Sequence, residues 1–278
     1  GMCAQPCRNP FRLVTAEKDD YGRPKVLRAV PGRDRYLLST RDLAVYPYLD
    51  RLVREPVASL KIEGRMRSPE YVATVVSIYR HALDAIAAGE AWSPSSEEMR
   101  DLALAFNREF TEGYILGASD IMARDRPGNR GVLLGMVTGY DLRRQEATVR
   151  LAGDLVPRSG DGLAFCTDDP DEDVGAVVRG TPAVRHAAVR LSVPVPVGEG
   201  ARVFLTKSAD LEERAKQIMA KPLPQLSIDV TVTWDDGTPC LEGVLTQNSN
   251  EPLRVRYRPD LRMEPARNRP LTRDQIAE

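Results

Sequence analysis

Ser59-Leu60-Lys61-Ile62-Glu63-Gly64-Arg65-Met66-Arg67-Ser68-Pro69-Glu70-Tyr71 is the stretch on which the reading of the fold turns. Over 57–64, Leu60 and Ile62 alternate with Lys61 and Glu63, the period of a strand with one apolar and one charged face. Gly64 permits a sharp turn. Ser68 then supplies an N-cap, Pro69 a first helical position, and Gly89 the left-handed residue that ends a helix. Between them Val72, Val75, Val76, Tyr79, Leu83 and Ile86 recur at three- and four-residue steps, which predicts a helix with one buried face. Upstream, Arg35–Ser39 predicts another strand. It runs into a helix carrying Leu43, Leu49, Leu52 and Val53, with Ser39 or Thr40 as its cap. Strand, helix, strand, helix on short links is the rhythm of a parallel α/β fold.

Downstream of this unit, Ser95 and Glu98 make a capping box for a helix running to about Asn107. From Gly131 the pattern turns all-β. Strands are expected at 132–139, 147–151, 163–166, 174–179, 187–191 and 202–205, with Gly160-Asp161-Gly162 as a tight turn. Six short strands predict a small closed barrel, which removes exposed edges. A helix over 209–219 aligns Leu211, Ala215 and Ile218. It leads to a last β unit in which Leu226, Ile228, Val230 and Val232 alternate, Asp236-Gly237 turns a hairpin, and 254–258 alternates again. The expected division is 1–90, a helical linker 91–130, a small barrel 131–208, and an accessory unit 209–278.

At 278 residues with 42% hydrophobic content the chain has room for about two domains and a real core. Its net charge of −1 speaks against a globally basic nucleic-acid binder and an acidic tail protein alike. No apolar run approaches the ~20 residues of a membrane span, and the polar start is not a signal peptide. Four cysteines without a secretory segment point to a reducing, cytoplasmic compartment. Cys3 and Cys7, four apart around a proline, could share a metal or be plain thiols. Cys166 and Cys240 lie in apolar β patterns and read as small core residues. With only His81 and His186 present, a His-based zinc site has little to draw on. His81 lies off the apolar stripe of its helix, and His186 at the start of a strand. The arginines at 254, 256, 258, 262, 267, 269 and 273 are interleaved with acids and read as a solvated surface.

The central motif has two readings. As a strand end at a barrel mouth, Lys61, Glu63 and Arg65 are catalytic candidates and Arg67 an anion holder. As structure, Lys61 and Glu63 form an internal ion pair with surface arginines beyond them.

Three blocks together resemble peptidase family U32. They are Gly1-Met2-Cys3-Ala4-Gln5-Pro6-Cys7-Arg8; Tyr36-Leu37-Leu38-Ser39-Thr40-Arg41-Asp42-Leu43; and Ser59 through Val72, continuing to Tyr79-Arg80 and Leu83-Asp84. Arg41 stands where members usually carry lysine. Residues 106–137 (Phe106-Asn107-Arg108, Phe110-Thr111, Gly113-Tyr114, Gly131, Gly135-Met136-Val137) resemble the family's long members, in which a β-rich region follows the barrel. The resemblance implies α/β plus all-β architecture: the C-terminal portion of a TIM-like (βα)8 barrel, a small translation-factor-type β-barrel, and a further β unit. It also implies an incomplete chain, because the cysteine block lies late in the family's barrel after two further cysteines, and 269–278 reads as the start of a helix cut short. Relatives carry an iron–sulfur cluster and hydroxylate RNA pyrimidines, with prephenate as co-substrate; the family name says peptidase. On this resemblance Cys3 and Cys7 are two of four cluster ligands, and Arg8, Arg67, Tyr71 and Arg80 bind substrate. The expected partners are RNA or a peptide and a missing N-terminal barrel segment, with no DNA and no membrane. Three functions follow: cluster-dependent RNA hydroxylation, a collagenase-like protease, or a non-catalytic RNA- or protein-binding module. The isolated chain is expected to turn over nothing.

Overall fold

A computed structural model describes residues 3–32, 35–222, 227–245, 253–260, 269–270 and 272. The chain forms two compact units, residues 1–220 and 221–278. The first opens with a 3-10 turn, Pro6–Arg8, and a solvent-exposed hairpin of β1 (Val14–Lys18) and β2 (Pro24–Ala29). Strand β3 (Asp42–Leu43) and helices α1 (Leu49–Arg54), α2 (Pro69–Ala87) and α3 (Ser96–Ala105) come next. They are followed by β4 (Phe110–Thr111), which pairs parallel with β3.

Two expected strands do not form. At 35–39, Tyr36 and Ser39 are buried in a turn, and the pairing shifts onward to a Thr40–Met122 bridge and β3. Neither Ser39 nor Thr40 caps a helix. Pro47 sits in a 3-10 turn, Tyr46–Tyr48, and the α-helix starts only at Leu49; Leu43 stays in the strand. Residues 57–64 are coil, because among the described residues no strand lies beside them to complete a ladder. Only the turn survives from that reading, closed by Arg67 N–H donating to the Gly64 carbonyl at 2.9 Å.

Helix α2 follows its local signals. Ser68 Oγ accepts from Tyr71 N–H at 3.3 Å, Pro69 sits in the first turn, and Gly89 ends the helix at φ +74°. Its buried face is Thr74, Val75, Ile78 and Ala82, with Tyr79, Leu83 and Ile86 packed alongside. Val72 and Val76 instead face outward, 40% and 44% exposed. Ser95 caps α3, accepting from the N–H groups of Glu97 and Glu98, and the helix ends at Ala105, short of Asn107. The Glu98 carboxylate does not close a capping box. It takes the Tyr46 hydroxyl and pairs with His81 Nδ1 at 2.9 Å, while Ser95 N–H donates to the Tyr46 oxygen at 3.4 Å. His81 is otherwise exposed. Tyr46, fully buried, meets Tyr79 and Trp92 edge-on at 5.8 and 5.4 Å.

All six strands expected after Gly131 are present: β5 (Val132–Asp141), β6 (Glu146–Leu151), β7 (Gly162–Cys166), β8 (Val174–Val177), then β10 (Ala188–Ser192) and β11 (Arg202–Lys207). A short β9 (Val184–Arg185) is added before β10. They form one antiparallel sheet in the order β8-β7-β11-β5-β6-β10-β9, around a core that includes Leu134, Val149, Phe165, Val189 and Val203. Among the described residues no ladder joins β8 to β9. His186 lies in the two-residue turn before β10 rather than in a strand; it and Ala187 both have positive φ (51° and 56°), which matches the twist of a hairpin. Helix α4 (Ala209–Met219) spans the expected residues and buries Leu211 and Ala215.

The second unit is an antiparallel meander of β12 (Ile228–Asp235), β13 (Thr238–Leu245) and β14 (Leu253–Tyr257), with Asp236-Gly237 as its first turn. Leu226 and arginines 262, 267 and 273 lie outside the described residues, as does nearly all of 269–278. Register puts Ile228, Val230, Val232 and Trp234 on one face with Leu241, Leu245, Val255 and Tyr257. Arginines 254 and 258 pair with Glu242 and Asp235 in solvent, as the interleaving predicts.

Candidate anion and metal-ligand site

The cysteine block folds as one tight turn. Gln5 takes a left-handed φ of 51°, and its N–H donates to Cys3 Sγ at 3.4 Å; Pro6 then holds the 3-10 turn that carries Cys7 and Arg8. Both thiols are exposed. The Arg8 side chain reaches back into the protein, donating to Ser39 Oγ at 2.6 Å and the Thr40 carbonyl at 2.7 Å. This contact pins the turn to the residues just before β3.

Three arginines gather here. Arg108 embraces Asp42: its Nε lies 3.1 and 3.2 Å from the two carboxylate oxygens, its terminal nitrogen binds Oδ1, and its backbone N–H donates to Oδ2 at 2.9 Å. The parallel β3–β4 pairing brings these two residues together across 66 positions of sequence. Arg67 lays its guanidinium over the Phe106 ring at 3.2 Å and lies 5.8 Å from the Tyr71 ring; Arg108 touches Phe106 from 5.2 Å. Burial, then the field of Arg108, lowers the pKa of both Arg8 and Arg67. Burial likewise raises that of Tyr71. These shifts record cations crowded together with Asp42 as the shared counter-charge, an arrangement that favours an anion.

Of the residues expected at the site, Arg8, Arg67 and Tyr71 therefore meet. Lys61 and Glu63 are exposed, and with no strand to align them they are not held on one face; Glu63 instead accepts from Arg65 N–H at 2.9 Å inside the turn. Arg65 is exposed. Arg80 stands nine residues farther along α2, roughly 14 Å by helical rise, in an exposed pair with Asp84 at 2.7 Å. Asp42, Phe106 and Arg108 were not among the expected site residues. The Asp42-Leu43 and Phe106-Asn107-Arg108 blocks carry no local pattern of a site, and only the β3–β4 pairing joins them.

Asp42→Asn is expected to cost about 2 kcal/mol, the range for a hydrogen bond to a charged group. It should also tighten sulfate or phosphate binding, since an anion would then replace the lost counter-charge. Denaturant unfolding with and without added phosphate checks both, and a variant whose midpoint does not respond more to phosphate than the parent does contradicts the assignment.

An iron–sulfur cluster takes four cysteine ligands. Cys3 and Cys7 suit two of them, being exposed thiols on one turn with an N–H directed at sulfur, the kind of bond that tunes such clusters. Cys166 and Cys240 are buried in sheets, Cys240 taking a bond from Arg256 Nε at 3.1 Å. Among the described residues no group of three or more His, Cys, Asp and Glu side chains is placed to hold a metal. Cys3 and Cys7 are therefore the exposed thiols that a metal could reach among the described residues. No helix among the described residues is long and apolar enough to cross a membrane.

Comparison with known proteins finds relatives over part of the chain. The chain is 36% identical over 121 residues to a collagenase of Porphyromonas gingivalis, covering 42% of this chain and 27% of the relative. It is 28% identical over 155 residues to tRNA hydroxylation protein P1 of Bacillus subtilis, covering 54% and 36%. It is 30% identical over 177 residues to the 23S rRNA 5-hydroxycytidine synthase of Escherichia coli, covering 59% and 24%. The chain therefore spans about a quarter to a third of the length of these relatives. No solved structure matches it. The model of peptidase family U32 matches residues 1–124, which include the thiol turn, the arginine cluster and α2, so the chain carries a domain of peptidase family U32.

Proposed function

We propose that the chain is part of an iron–sulfur-dependent hydroxylation enzyme acting on an RNA pyrimidine, with Cys3 and Cys7 as two of the four cluster ligands. The observation that carries this reading is the pairing of two exposed thiols on one turn with a three-arginine cluster to which the same turn contributes Arg8. The 177-residue match to the rRNA hydroxylation relative adds support, because it is longer than the 124-residue family segment and so reaches into the β-rich part. The other two ligands, and the strands that would flank 57–64 in a TIM-like barrel, would come from outside these 278 residues. Bound, the cluster supplies redox chemistry. The chain's own arginines seat the anionic part of the substrates, whether a dicarboxylate such as prephenate or an RNA phosphate.

The test is to purify the whole polypeptide anaerobically and measure iron and acid-labile sulfide, with Cys7→Ser beside it. Bound iron that falls at least tenfold in the variant is expected, together with loss of one added oxygen on a pyrimidine of cellular RNA. A metal-free parent after reconstitution, or gelatin cleavage that disappears in Glu63→Gln, would replace this reading with the peptidase one.

A further inference from the structure

The three-stranded meander of the second unit has two unlike faces. On one of them the register forms a grid. Val230, Gly243 and Val255 make its middle row, with Ile228, Leu245 and Leu253 to one side and Val232, Leu241 and Tyr257 to the other. Trp234, beside Pro239, extends the same face. No residue of this grid is charged. The charges of the three strands, Asp229, Asp235, Glu242, Arg254 and Arg256, alternate onto the opposite face.

A sheet with one apolar face buries it against another layer. Here that face is open: the seven large apolar side chains that β12 and β14 contribute to it are all exposed, from Val232 at 36% to Tyr257 at 62%. At about 100 Å² each they present roughly 700 Å², above the ~300–600 Å² of the largest apolar patch on a typical monomer and near the ~800 Å² that each partner gives to a stable complex.

We propose that this face is the interface of a symmetric dimer, in which the meanders of two copies of the chain pack face to face as a six-stranded β-sandwich. The inference does not rest on the hydroxylation reading.

Three observations select a second copy. The grid carries no charge, so a twofold axis through it sets no like charges together, as a self-complementary contact requires. The area is what one partner of a stable dimer supplies. The neighbouring segments of the chain are poorly suited to fill it. Residues 246–252 read Thr-Gln-Asn-Ser-Asn-Glu-Pro, and from 259 onward the large apolar residues are Leu261, Met263, Leu271 and Ile276, interleaved with charged ones. Gly243 suits the contact as well. With no side chain at the centre of the grid, the face has a dent that a side chain of the opposing sheet can enter across the ~10 Å spacing of a sandwich.

Sedimentation of the full chain from about 1 to 100 μM tests the dimer. A monomer–dimer equilibrium with a Kd of about 10 μM or tighter is expected, within the span of interfaces of this size. Trp234 fluorescence should shift to the blue over the same range, and Trp234→Phe should abolish the shift. Val230→Lys and Val255→Lys each put an ammonium group near the centre of the face, and each should weaken the dimer at least about a hundredfold. Both positions are 60% exposed, so neither substitution empties a core. Thr231→Lys, on the charged face, should leave association unchanged. A chain that is monomeric at the highest concentration, a dimer that survives both valine substitutions, or one that Thr231→Lys breaks equally overturns the proposal. Acrylamide quenching of Trp234 then separates the alternatives. A monomer with Trp234 shielded covers the face with its own chain, and a monomer with Trp234 open leaves it to a different partner; either result overturns the second copy as occupant.

Discussion

Tyr46→Ala is expected to lower the stability of the first unit by about 4 kcal/mol, within the range for truncating a buried aromatic side chain. Tyr46 is fully buried against Leu49, Tyr79 and Trp92, and its hydroxyl ties together Glu98 and the Ser95 N–H at the start of α3. Tyr46→Phe keeps the ring and loses only those bonds, so it should cost about 1–2 kcal/mol. The phenol also makes a pH prediction. Burial, followed by the bond to Glu98, pushes its pKa up to about 12 from an ordinary 10. The folded state therefore holds this proton more tightly than the unfolded chain does. The associated stability is complete below pH 10 and is lost as pH rises toward 12. Urea midpoints of the parent and Tyr46→Phe should converge across that window. Parallel curves from pH 9 to 12 would show that the phenol is not held this way.

Gly131→Ala should cost about 3 kcal/mol or more. Gly131 sits at φ +66°, and a Cβ there would lie 2.0 Å from the Leu205 carbonyl oxygen and 2.8 Å from Thr206 Cα. The left-handed backbone alone costs an alanine roughly 1–2 kcal/mol. The clash is with backbone of the neighbouring strand β11, which cannot swing aside, and overpacking of this kind adds about 1–3 kcal/mol. The position is also tied down. Asn129 Oδ1 accepts from the Asn107 and Gly131 N–H groups at 2.9 and 3.3 Å, Asn129 Nδ2 donates to the Thr206 carbonyl at 2.9 Å, and Asn107 Nδ2 donates to the Gly131 carbonyl at 3.0 Å. This set of bonds attaches the end of α3 to the seven-stranded sheet, so the damage should appear as faster hydrogen exchange at the start of β5 and in β11. Gly117→Ala is the control, with φ +88° and no atom within 4 Å of the added carbon. It should lose only the backbone share. Equal losses in the two variants would mean that the approach of Leu205 is not what demands glycine.

Several features were legible because their causes lie within a few residues. The Ser68 and Ser95 caps, the proline entry to α2, the Gly89 stop and the Asp236-Gly237 turn each depend on bonds between near neighbours, and the alternation of β5 to β11 marks an apolar face in each strand whatever its ladder partner. The same local reading misplaced Val72 and Val76. Helical spacing says that a stripe exists, but which edge of it is covered depends on where α3 and α4 lie. Glu98 matched a capping box by position, yet a better partner, the Tyr46 hydroxyl, arrived from 52 residues away.

Residues 57–64 mark the division most clearly. Alternation there states a capacity to pair, but a ladder needs a second strand, and none of the described residues supplies one. The sequence by itself determined the helices, the turns and the character of the β-rich half, together with the thiol block and the motif that place residues 1–124 in their family. Only the tertiary structure decided which charges meet. Arg67 was legible as a cation, but Phe106 beneath it and Asp42 against Arg108 come from separate segments, joined by a parallel ladder two residues wide. Coulombic and stacking contacts act through space, and nothing in the local pattern of either segment records the other.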